Sequence, residues 1–139
     1  APPPARAGEE TDAERAIVRL TRVARPGSLI FMISDFRRLG ADAERHLIRL
    51  AGHCDLLLIH CYDPVEAELP APGRYRIEGG GGSFVIDTAN EALRRRYEER
   101  FKERRAALER LSRLPGIRLL DCPTDADPRT VLTEHFRRR

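Results

Sequence analysis

The chain has 139 residues, of which 41% are hydrophobic and 34% charged, and its net charge is only +3. That size suits one domain with a real core. Nearly all the basic residues are arginines, with Lys102 the single lysine, and such Arg and Ala use is read as genome base composition and not as evidence for nucleic-acid binding. Cys54, Cys61 and Cys122 are too few, and wrongly spaced, for a secreted disulfide scaffold. They point to a reducing compartment, so a cytoplasmic location is expected. No apolar run approaches the roughly 20 residues that span a bilayer, and the start lacks the pattern of a signal peptide. This segment is therefore expected to make no membrane contact, and any membrane association is left to a longer parent protein.

Residues 1–10 are rich in Pro, Ala, Gly and Glu and read as a flexible lead-in, leaving residues 11–139 as a single α/β domain. Thr11 or Asp12 can cap a first helix whose apolar stripe is Ala16, Ile17, Leu20, Val23 and Ala24, and Pro26-Gly27 stops it. The continuous apolar run from Leu29 to Ile33 suits a strand covered on both faces, ended by Ser34, Asp35 and Phe36. A second helix is expected from Asp42, with Ala43, Leu47, Ile48 and Ala51 inward. A second continuous strand, Leu56 to Ile59, ends near Cys61-Tyr62 and is closed by Asp63-Pro64.

Residues 74–87 change character. Tyr75, Ile77, Phe84 and Ile86 alternate with polar neighbours around Gly79 to Gly82, which predicts an inserted β-hairpin elaborating the main sheet. That glycine run lacks the Lys-Ser/Thr and following helix of a phosphate loop. Asp87-Thr88 is expected to cap a long helix over 89–114, with Leu93, Tyr97, Phe101, Leu108 and Leu111 buried. A third strand is expected over 117–120, closed by Asp121-Cys122-Pro123, and Asp127-Pro128 opens a last helix with Val131, Leu132 and Phe136 inward. Helices alternating with apolar strands predict an α/β fold with parallel strand pairing and right-handed crossovers.

In such sheets ligands gather beyond the carboxyl ends of the strands. Ser34-Asp35, Asp63, and Asp121 with Thr124-Asp125 stand at those ends. Their hard oxygens suit Mg²⁺, and the competing reading is that they terminate strands and cap helices. The basic residues of 89–114 are interleaved with glutamates, so a solvated face with Arg95–Glu91, Arg95–Glu99 and Glu98–Lys102 pairs is expected in preference to a nucleic-acid surface. His46 and His53 match no common zinc spacing, and no nucleophile–base order is present.

The segment from Arg25 to Phe36 resembles the core of a bacterial family, domain-of-unknown-function family fifty-eight. The similarity continues through His53-Cys-Asp-Leu56, Tyr62 to Pro70, Val85-Ile-Asp-Thr88, Tyr97, Arg104-Arg105, Gly116-Ile117 and Thr124-Asp125. The resemblance implies a three-layer, Rossmann-like (von Willebrand factor A-like) partial parallel sheet and partnership with a MoxR-type AAA ATPase. It also implies a metal-ion-dependent adhesion site, built from an Asp-x-Ser-x-Ser loop, a Thr and a further Asp. Asp35 matches the last position, with Ser34 beside it, and no Asp-x-Ser-x-Ser occurs in the chain. The expectation is thus the C-terminal half of such a domain, with an incomplete site. No cofactor is assigned to this piece, and Mg²⁺ would belong to the full-length domain.

The function expected is a protein-interaction module assisting complex assembly or maturation. The alternatives are a metal-dependent enzyme using Asp35, Asp63 and Asp125, and a nucleic-acid binder using the helix at 89–114. The strand at 29–33 would be central in a full domain. Here it is expected as an exposed apolar edge that supports a homodimer through that strand or the bared helix faces.

Overall fold

The computed structural model describes residues 12–79 and 82–137. The lead-in at 1–10, the Thr11 cap, Gly80-Gly81 and the terminal Arg138-Arg139 lie outside the described residues. The order of elements is α1 (Asp12–Val23), β1 (Leu29–Ser34), α2 (Ala41–Ala51), β2 (Asp55–Tyr62), α3 (Pro64–Ala67), β3 (Arg74–Gly79), β4 (Gly82–Asp87), α4 (Glu91–Ser112), β5 (Ile117–Pro123) and α5 (Pro128–Arg137).

β1, β2 and β5 form a parallel sheet in that order. Two crossovers that step the same way along a sheet, both right-handed, deposit their helices on the same face. The core follows that rule. Leu47 and Leu50 of α2 and Leu108 and Leu111 of α4 form one buried cluster with Leu56 and Leu58 of β2 and Ile17 of α1. The opposite face is thinly covered: α5 packs against β5, and Phe136 meets Phe31 with ring centroids 6.3 Å apart. The protein is thus a mixed α/β, Rossmann-like fold.

Position in the sheet explains how each strand is buried. β2 is central, and Leu56 to Ile59 are buried without alternation. β1 lies at an edge, and every second side chain is bared: Leu29, Phe31 and Ile33 are 45%, 46% and 69% exposed. Gly116 starts β5 with φ +80, where a Cβ would stand 2.8 Å from the Ala51 carbonyl oxygen. Its own carbonyl accepts the Leu56 N–H at 2.7 Å, locking the end of α2 and the starts of β2 and β5 together.

Several expected details are corrected. α2 begins at Ala41, with Gly40 as a cap that offers no side chain, and Asp42 lies within its first turn. The hairpin is not an extension of the main sheet. β3 and β4 pair only with each other. α4 is capped by Asn90, whose Oδ1 accepts the Leu93 N–H at 3.1 Å. Asp87 and Thr88 are committed elsewhere, Asp87 to the Ala89 N–H and the Thr88 hydroxyl to Ala71 and Gly73 at the hairpin base. Tyr97 is exposed rather than part of the buried stripe. β5 runs three residues past Leu120, so Asp121 and Cys122 lie within the strand, paired with His60 and Cys61.

Candidate functional site at the carboxyl edge

Beyond the carboxyl ends of β1 and β2 lies a cleft of about 480 Å³ between the β1–α2 loop, α3 and α4. Phe36, Arg37 and Leu39 come from the loop, Glu66 from α3, and Tyr97, Arg100, Phe101, Glu103, Arg104 and Ala107 from α4.

The loop is shaped by local hydrogen bonds. Ser34 Oγ accepts the Phe36 N–H at 3.1 Å, and Asp35 Oδ1 accepts the Arg37 N–H at 3.1 Å. Between them Phe36 is buried at φ 50, in the left-handed region that costs a non-glycine residue about 1–2 kcal/mol. This bend brings the Phe36 ring within 6.3 Å of His60 and turns Arg37 toward α3.

Glu66 is the hub. Asp63-Pro64-Val65-Glu66 forms a capping box: Asp63 Oδ1 accepts the Val65 N–H at 3.0 Å, and Glu66 Oε1 accepts the Asp63 N–H at 3.4 Å. With its backbone so fixed, Glu66 receives Arg37 Nη2 at 2.9 Å and Arg104 Nη1 at 3.1 Å. Burial pushes the Glu66 carboxyl up, but the hydrogen bonds from Arg37 and Arg104 outweigh that and hold it below its ordinary value. The bond to Glu66 in turn raises Arg37. Arg100 and Glu103 have no ion-pair partner among the described residues, so the cleft keeps unspent charge at its mouth.

His60 lies beneath this layer, fully buried, with its ring 4.8 Å from that of Tyr62 and 5.9 Å from that of Phe101. Asp121 Oδ1 is 3.5 Å from its Nδ1, too long for a hydrogen bond, and both ring nitrogens lack partners. Asp121 is drawn instead to Arg105, which also holds Glu109 at 3.1 Å. Burial, reinforced by Arg104 and Arg105, lowers His60 to about 4. The imidazole is therefore neutral at pH 7 and acts as part of an aromatic stack.

The strand-end residues singled out from sequence share an edge but not a coordination sphere. Asp63 is spent as the α3 cap. Thr124 continues the β2–β5 ladder by donating its N–H to the Tyr62 carbonyl at 2.9 Å, with Asp125 in the turn that follows. Asp35 Oδ2 lies 3.1 Å from Arg37 Nε, so its charge is already partly balanced by a cation. No group of three or more His, Cys, Asp or Glu able to hold a metal occurs among the described residues. This donor set does not fit Mg²⁺, which needs several oxygens in octahedral array.

α4 is not a free basic face. Arg94 turns inward and donates to the carbonyls of Thr88, Leu69 and Pro70, at 3.3, 3.3 and 2.5 Å. The i,i+4 pairs expected at Arg95 and Lys102 are not among the ion pairs of the described residues. The arginines that pair are Arg104, Arg105 and Arg110, mostly with glutamates and aspartates of other elements. No described helix is long and apolar enough to cross a membrane.

Fold and site together define a Rossmann-like α/β protein with a charged, aromatic cleft at the ligand edge of its sheet. The family described as protein of unknown function DUF58 matches residues 3–107, and the chain belongs to it. No curated protein and no solved structure matches the chain.

Proposed function

We propose that this chain is a von Willebrand factor A-like protein-interaction module that works with a MoxR-type AAA ATPase in the assembly or maturation of a larger complex. The cleft carries this reading. Exposed Tyr97 with Phe101, set beside the unpaired Arg100, is the aromatic and arginine combination on which protein interfaces concentrate their binding energy. The choice of ATPase rests on the family resemblance. Asp35 and Ser34 are candidate metal ligands if further oxygens join them in a longer parent, and Asp63, Thr124 and Asp125 border the same edge. The three free thiols support a cytoplasmic location.

The test is a titration of the chain against a purified MoxR-type AAA ATPase, with Tyr97→Ala and Arg100→Glu as variants. Each change should weaken binding by about ten-fold or more. Absence of binding at ~100 μM, or binding indifferent to both variants, would remove the reading, since even weak assembly contacts fall in that range.

A second copy is the partner proposed for β1. The run from Pro26 to Ser34 carries no charge, so two copies can meet antiparallel about a two-fold axis without like charges opposed. Leu29, Phe31 and Ile33 would then be covered together. Sedimentation should show a dimer that Phe31→Lys dissociates, and a monomer at millimolar concentration would contradict it.

A further inference from the structure

We infer that Cys61 and Cys122 form an oxidisable dithiol that closes into a disulfide between β2 and β5. The two are direct partners in the parallel register. Neighbouring strands run about 4.8 Å apart, within the Cα separations that disulfides bridge. Register also puts both side chains on one face, opposite His60 and Tyr62, whose rings stack toward α4. Both thiols are partly exposed, whereas Cys54 is buried and donates to the Arg25 carbonyl at 3.3 Å. Burial, and after it the neighbouring Cys122 thiol, pushes the Cys61 thiol upward. Reaction should therefore accelerate as pH rises above neutral.

The oxidant is a low-molecular-weight disulfide of the glutathione class. One protein thiol loses its proton and its sulfur attacks the reagent disulfide, giving a mixed disulfide and releasing one small thiol. The second protein thiol, deprotonated, attacks the protein sulfur of that mixed disulfide, forms the Cys61–Cys122 bond and releases the second small thiol. The protein loses two hydrogens and the reagent gains them. Ladder pairing on both sides of the two cysteines holds the strands at this spacing, so the bond can form without the strands separating. It ties together the strand ends from which Asp63 and Thr124-Asp125 depart, so the ligand edge is stiffer when oxidised. This inference stands independently of the cleft.

The experiment treats the reduced full chain with oxidised glutathione at pH 8 and maps the peptides by mass spectrometry. The expected product has lost two hydrogens, contains a Cys61–Cys122 cross-linked peptide, leaves Cys54 unmodified and reverts fully with dithiothreitol. Cys61→Ser and Cys122→Ser should each abolish the cross-link and leave a stable glutathione adduct on the remaining partner. Hydrogen exchange at Tyr62 and Thr124 should slow several-fold on oxidation. Separate adducts on both cysteines without a cross-link, a cross-link through Cys54, or one between two chains would overturn the inference.

Discussion

Replacing Glu66 with Gln keeps the shape of the hub and deletes its charge. Arg37 and Arg104 then face one cleft without the carboxylate that separates them. Removing one partner of a fully buried ion pair costs about 3–5 kcal/mol, and of an exposed pair under about 1 kcal/mol. Glu66 is 13% exposed, Arg104 15% and Arg37 51%, so the Arg104 contact lies between those limits and the Arg37 contact at the lower one. Together they imply about 2 kcal/mol. In urea, with a slope of about 2 kcal/mol/M, the midpoint should fall by about 1 M at pH 7. The pH dependence is a second check. Glu66 titrates lower in the folded chain than in the unfolded one. Its contribution is therefore complete above the unfolded value, about 4.3, and disappears as pH falls through the lower folded value. The wild type and Glu66→Gln should converge in strong acid. A loss below about 0.5 kcal/mol at pH 7, or a gap that persists at pH 2, would refute the hub.

His60 should titrate near 4 by NMR instead of at the ordinary histidine value, and it should destabilise the fold as pH drops from about 6.5 toward 4, because the unfolded chain takes up the proton first. His60→Leu should flatten that part of the stability curve, and an ordinary titration would show that water reaches the ring. Gly116→Ala should cost about 2–4 kcal/mol in thermal or urea unfolding, from the left-handed backbone plus the clash with Ala51, while Gly82→Ala, with open space around it, should cost less. Arg94→Met removes the three carbonyl contacts at the hairpin base, and hydrogen exchange of β3 and β4 should quicken with little change in the core amides.

How far the sequence foretold this follows from the length of its patterns. Continuous apolar runs located β1, β2 and β5, although only central β2 is buried on both faces, and the 3.6-residue stripe located α2 and α4. What escaped was decided at the ends of elements. Asp87-Thr88 and Asn90 compete for one helix start, and only the hairpin's claim on Thr88 settles it. α3 was legible as Asp63-x-x-Glu66, a capping box, but a single turn carries no periodicity to prompt the search. The role of Glu66 therefore went unnoticed, and so did its pairing with Arg37 and Arg104, which meet it from 29 and 38 residues away in sequence. His60 did leave a trace, as a polar residue interrupting an apolar central strand. The edge expected of β1 is present. Asp35 directly follows β1 and has Arg37 3.1 Å away, a neighbour that composition alone could not indicate.

The 22 residues of α4 make a rod about 33 Å long. Arg94, near its first turn, grips the base of the hairpin, and Arg104, about 15 Å further along, grips Glu66. A helix bends little over that distance, so one rigid element holds both the base of the hairpin and the Glu66 wall of the cleft, and a displacement of that base would reach the cleft as a tilt of α4.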